Sequence, residues 1–125
     1  MHDNDEYILT GAEALHLLEL TVKEHGADFV YQRPIEHSSE CYYNWDGQPS
    51  CVVGHVFANY VGIEVPDDME NIGVDSYLFR VPGVRITPEA HQVLGVAQNE
   101  QDLGRPWGEA YAEAEARARQ IGVVE

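Results

Sequence analysis

The stretch CYYNWDGQPSCVVGH, Cys41 to His55, holds both cysteines of the chain beside a tryptophan, two tyrosines and a histidine. It is either a chemical site or the junction between a strand and a helix, and the two readings use the same residues differently. As a junction, CYYNW is extended, with Cys41, Tyr43 and Trp45 on one face and Tyr42 on the other. Asp46-Gly47 reverses the chain. Ser50 is placed to cap the helix CVVGHVFANYV, and Gly62 to end it. That helix is apolar nearly all round, which predicts a central, buried element. Gly54 inside it costs about 1 kcal/mol relative to alanine, so close approach of another element is expected there.

As a chemical site, the same stretch puts a thiol at a helix start, where unpaired N–H groups and the dipole favour a thiolate. His55 follows four residues later on the same face. A thiol beside an imidazole is the minimal nucleophile–base pair, so Cys51 and His55 are the candidate catalytic residues. The competing structural reading makes Cys51 a small buried hydrophobe and His55 a partner for a backbone carbonyl. It is preferred, because no oxyanion device or orienting acid accompanies the pair. His37, Cys41, Cys51 and His55 are also zinc-type ligands, but without a C-x2-C knuckle their convergence is not implied. No metal or other cofactor is expected. Tyr42, Tyr43, Trp45 and Tyr60 are candidates for a partner surface or pocket, because aromatic residues are favoured at interfaces. The alternative for each is core packing.

The flanking sequence predicts helices on both sides. Thr10–Glu13, TGAE, reads as a capping box, and Ala14, Leu15, Leu18 and Val22 follow at helical spacing to Gly26. DFVYQR, residues 28–33, reads as a strand that pairs antiparallel with 41–45. Residues 63–86 are a loop that can hold a helical turn, a third strand or a short helix. Thr87 caps a helix with Pro88 at its first position, the apolar stripe Ala90, Val93, Leu94 and Ala97, and Gly104 as its stop. A last helix starts near Pro106 and buries Trp107, Ala110, Tyr111, Ala114, Ala118 and Ile121. Glu113–Arg117 and Glu115–Arg119 are spaced as supporting pairs. Gln98, Gln101 and Asp102 read as structural ties between helices. The predicted class is α+β, with about four helices and a small antiparallel sheet of two or three strands. Residues 1–9 read as a flexible acidic lead-in, and 10–125 as one domain.

Composition narrows the function. The chain has 125 residues, of which 44% are hydrophobic and 10% aromatic, enough for one real core. Its 22 acidic and 7 basic residues give a net charge of −15. A field of that sign repels phosphate backbones and anionic lipid, so neither direct nucleic-acid binding nor membrane binding is expected. An acidic decoy of nucleic acid remains an alternative, although its acids are scattered rather than ranked. No stretch has the ~18 apolar residues of a membrane span, and MHDNDEY lacks the apolar segment of a signal peptide. A cytoplasmic location with reduced cysteines is expected.

Two segments carry a resemblance. Pro49, Ser50, Cys51, Val53, Gly54 and Phe57 form P-S-C-x-V-G-x-x-[LF]. Ala97, Gln98, Gln101, Asp102, Gly104, Trp107, Gly108 and Ala110 form A-Q-x-x-Q-D-x-G-x-x-W-G-x-A. Together they resemble small uncharacterised proteins of actinobacteria and their bacteriophages, over residues 12–62 and 87–116. The resemblance implies provenance rather than mechanism. The expected function is that of a non-enzymatic accessory protein that binds a cytoplasmic host partner, with a homodimer also considered. A small thiol- or metal-dependent enzyme centred on Cys51 and His55 is the alternative.

Overall fold

A computed structural model describes residues 6–31, 42–45, 47–70 and 72–123. The fold is α+β. Strand β1 (Tyr7–Leu9) leads into α1 (Gly11–His25). A hairpin of β2 (Asn44–Trp45) and β3 (Gln48–Pro49) precedes α2 (Val52–His55), which continues as a π-helix over Val56–Val61. A 3-10 turn (Asp67–Met69) and β4 (Val84–Ile86) lead to α3 (Pro88–Asp102) and α4 (Trp107–Gln120). Among the described residues no helix is long and apolar enough to cross a membrane.

The lead-in is not frayed where it is described. Tyr7–Leu9 pairs in parallel with Val84–Ile86, and Leu9 is fully buried. Each of these strands runs straight into a capping threonine. Thr10 Oγ1 accepts the N–H of Glu13 at 3.1 Å, and Thr87 Oγ1 accepts that of Ala90 at 3.2 Å. Two strand–threonine–helix units therefore lie side by side, and α1 packs on α3. The capping box at Thr10 is half formed. The Glu13 carboxylate accepts from Tyr7 OH at 2.5 Å instead of reaching back, a charge-assisted bond stronger than a neutral one.

The helices α3 and α4 largely follow their patterns, except that Tyr111 and Ile121, expected on the buried face, are half-buried. Ala90, Val93, Leu94 and Ala97 are all fully buried, as are Trp107, Ala114 and Ala118. The short link through Gly104, at φ 86°, packs the two helices against each other. Of the two expected supporting pairs, Glu115–Arg119 forms at 3.3 Å, while Arg117 Nε donates to Gln120 Oε1.

Residues 28–31 are not a strand. Phe29 N–H turns back to the Gly26 carbonyl at 3.1 Å. The carbonyls of Phe29 and Ala27 accept the N–H groups of Trp107 and Gly108 at 2.8 and 2.9 Å. Two carbonyls of this stretch, those of Ala27 and Phe29, thus cap the open end of α4 instead of joining a ladder. Gln32 and Arg33 lie outside the described residues. The antiparallel pair is instead the hairpin around Asp46-Gly47, with Asn44 opposite Pro49 and Trp45 opposite Gln48. Asp46 itself lies outside the described residues, and Gly47 has φ 78°.

The apolar run after the hairpin is the buried element expected, with two differences. The capping position is Cys51, not Ser50, whose hydroxyl is hydrogen-bonded to Tyr31 OH at 2.8 Å. The helix also widens into π geometry before Gly62 ends it, with Gly62 N–H on the Phe57 carbonyl at 2.8 Å. Residues 63–86 contain the third strand, β4, which pairs with β1 and leaves the hairpin alone.

Candidate functional site

Cys51 is 0% exposed. Its N–H donates to the Tyr42 carbonyl at 2.9 Å, and its own carbonyl accepts from His55 N–H at 3.0 Å. The next N–H, that of Val52, donates to Gln101 Oε1 at 2.8 Å. Gln101 thus caps α2 from α3, using a donor that a thiolate-stabilising helix end would leave open. Tyr43 covers the same region from the other side. A Cβ on Gly54 would lie 1.9 Å from the Tyr43 carbonyl oxygen, so this is the close approach that the glycine predicts. A thiol enclosed in this way has no path to a substrate, and buried thiols in apolar surroundings react slowly.

The His55 ring packs among other rings. Its ring stands 4.5 Å from His25 and 5.5 Å from Trp107, centroid to centroid. Asn59 Nδ2 lies 3.2 Å from its Nδ1. Its pKa is pushed down to about 4, first by burial and then by His25. A base so weak holds little of the proton it would need to take from a nucleophile near neutral pH. His37 and Cys41, the other members of the candidate ligand set, lie outside the described residues. Among the described residues no group of three or more His, Cys, Asp or Glu side chains could hold a metal ion.

The aromatic candidates divide between core and surface. Tyr43 is 1% exposed. Its OH donates to the Ile72 carbonyl at 2.5 Å and accepts from Gln98 Nε2 at 3.0 Å. It is a core residue rather than a contact. Tyr60 is half-buried, with its OH on Glu24 Oε1 at 2.9 Å. Burial and Glu24 together raise its pKa. Trp45 is 42% exposed and stacks edge-on against half-buried Tyr42 at 5.0 Å.

The hairpin that carries this pair is tightly held. Glu70 takes the N–H groups of Tyr43 and Asn44 at 3.0 and 3.5 Å. Asn44 Nδ2 donates to the Val65 carbonyl at 2.7 Å. These anchors were not visible in the sequence, because Glu70 and Val65 sit in a loop without periodicity. The ring cluster of His25, Phe29, His55 and Trp107 was equally hidden, since its members come from four separate elements.

Compared with family models, characterised proteins and solved structures, the chain matches none.

Proposed function

We propose that the protein is a non-enzymatic binding module, phage-encoded or actinobacterial, whose partner is a host protein met in the cytoplasm. The observation that supports this reading most is the Tyr42–Trp45 pair. An indole 42% exposed stands on a hairpin whose base is pinned by Glu70, Asn44 and Tyr43. Large rigid aromatic side chains bury much area at low entropic cost, and such residues dominate binding hot spots. The enzyme alternative has no accessible nucleophile in Cys51. Against the decoy alternative, the acids are scattered along the sequence, and some of those described pair with arginines: Arg105 with Glu100 and Glu109 at 3.1 and 3.4 Å, and Arg119 with Glu115 at 3.3 Å.

The test is capture from host lysate with the intact chain and with Trp45→Ala, each checked for an unchanged melting temperature. The reading expects a partner held by the intact chain and lost by Trp45→Ala. Equal capture by both would remove the hairpin from the interface. Light scattering on the same samples decides whether a second copy is the partner: a 14.0 kDa species at high concentration excludes the homodimer.

A further inference from the structure

The end of α1, the end of α2 and the first turn of α4 meet at one cluster of rings. His25 and His55 lie 4.5 Å apart and pack edge-on against Trp107 at 5.0 and 5.5 Å. Phe29 closes the cluster, 4.5 Å from Trp107. Trp107 is fully buried, and its Nε1 has no hydrogen-bond partner among the described residues.

Hydrogen bonds set where the imidazole protons sit. The Thr21 carbonyl lies 3.0 Å from His25 Nδ1. A carbonyl only accepts, so that nitrogen carries a hydrogen. The Asn59 amide donates to His55 Nδ1, which therefore offers a lone pair while neutral. Protonating His55 at that atom turns two donors against each other and forces Asn59 to move.

Among the described residues, the groups that face His55 are few. From α1 come His25, which opposes its charge, and Glu24, which favours it and is itself held by Tyr60 OH. The backbone of Ser50 also favours the proton, while α4 presents only the uncharged indole of Trp107. The segment that carries Asn59 and Tyr60 is the π-helix. That geometry is rare, confined mostly to single turns and common at functional sites. Sliding its bonds by one residue restores the ordinary helical register, so the element has a second arrangement available.

We propose that this cluster is a proton-operated latch: the His25–His55 pair accommodates one proton but not two, and the second drives the rings apart and shifts Val56–Val61 out of its π register. Two like charges at this spacing repel strongly when partly desolvated. Opening the latch loosens the packing of Trp107 against the ends of α1 and α2.

The test follows histidine ring signals by NMR and amide-exchange protection together, on the full chain, from about pH 7.5 to about pH 3. Protection over 56–61 is expected to fall about tenfold or more as the second proton binds, while α3 stays protected. In His25→Gln that fall disappears and the His55 midpoint moves up. If His25→Gln does not fold, His25→Phe keeps a ring in the cluster without the charge and serves the same comparison. Protection over 56–61 that stays flat while His55 titrates overturns the proposal. So does a fall that survives in the variant, or one that α3 shares.

Discussion

The carbonyl oxygen of Tyr43 occupies the place where a side chain on Gly54 would begin: a Cβ there would lie 1.9 Å away. The contact is backbone against backbone, so no rotamer change relieves it. Gly54→Ala forces the hairpin and α2 apart. Overpacking of a close-packed core costs about 1–3 kcal/mol and sometimes more. This substitution is expected at or above the top of that range, although alanine is the better helix former. Denaturant unfolding measures it, and a stability equal to that of the parent would show that the two elements are not in contact.

Gln101 is the second clamp on the junction. Its Oε1 takes the buried N–H of Val52, and its amide nitrogen donates to Asp102 Oδ1 at 3.1 Å. Gln101→Met keeps the length and loses the acceptor. An unsatisfied buried N–H costs about 1–3 kcal/mol, and that loss is expected in the same unfolding measurement. Gln101→Glu retains an acceptor and should recover part of it. Indifference to both substitutions would mean that Val52 finds another acceptor.

For Trp107 the ring and its polar edge separate. The side chain is fully buried, but Nε1 has no partner among the described residues. Trp107→Ala is expected to cost about 3–5 kcal/mol. Trp107→Phe gives up area but removes a donor with no partner among the described residues, so its loss is expected to be well below that of the alanine variant. Phenylalanine as damaging as alanine would reveal a hydrogen bond at Nε1.

Tyr7 couples stability to alkaline pH. Its pKa is raised to about 12, by burial first and then by its bond to the Glu13 carboxylate. The folded state therefore keeps its proton where the unfolded state, near pH 10, has lost it. The contribution is whole below about pH 10 and fades as pH rises toward 12. Phenolate absorbance, compared between the parent and Tyr7→Phe, is expected to show one tyrosine missing from the late end of the titration. An early-titrating tyrosine missing instead would mean that the Tyr7–Glu13 bond does not form.

Much of the fold was legible because it rests on local signals. Thr10 and Thr87 announce their helices by capping chemistry, and Ala90, Val93, Leu94 and Ala97 mark a buried stripe by spacing alone. Other parts depend on partners distant in sequence. Residues 28–31 have strand composition, but the carbonyl of Phe29 caps α4 together with that of Ala27, and nothing near Phe29 reports that Trp107 lies opposite. The loop after Gly62 is held by side chains of Gln98 and His91, which bind the backbone of Val74 at 2.9 and 2.7 Å. Such bonds leave no periodic trace. The π register of Val56–Val61 is invisible for another reason: an all-apolar run reads alike in either helix. At the candidate site, Gly54 correctly signalled close approach and Cys51 its burial. Tyr43 is a candidate for a partner surface or pocket on the same ground as Tyr42, its aromatic ring, and what sets it apart, its burial and its bonds to Ile72 and Gln98, comes from partners distant in sequence.

The most direct test asks whether CYYNWDGQPSCVVGH is a closed junction. Cys41→Ser leaves Cys51 as the sole thiol, so a thiol reagent then reads one site. In the folded protein near neutral pH, modification of Cys51 is expected to be slow and limited by opening of the structure. It should speed up in denaturant to the rate of an ordinary exposed cysteine. Rapid modification of the folded chain, slowed by His55→Ala, would contradict the account and return Cys51 and His55 to the role of a nucleophile and its base.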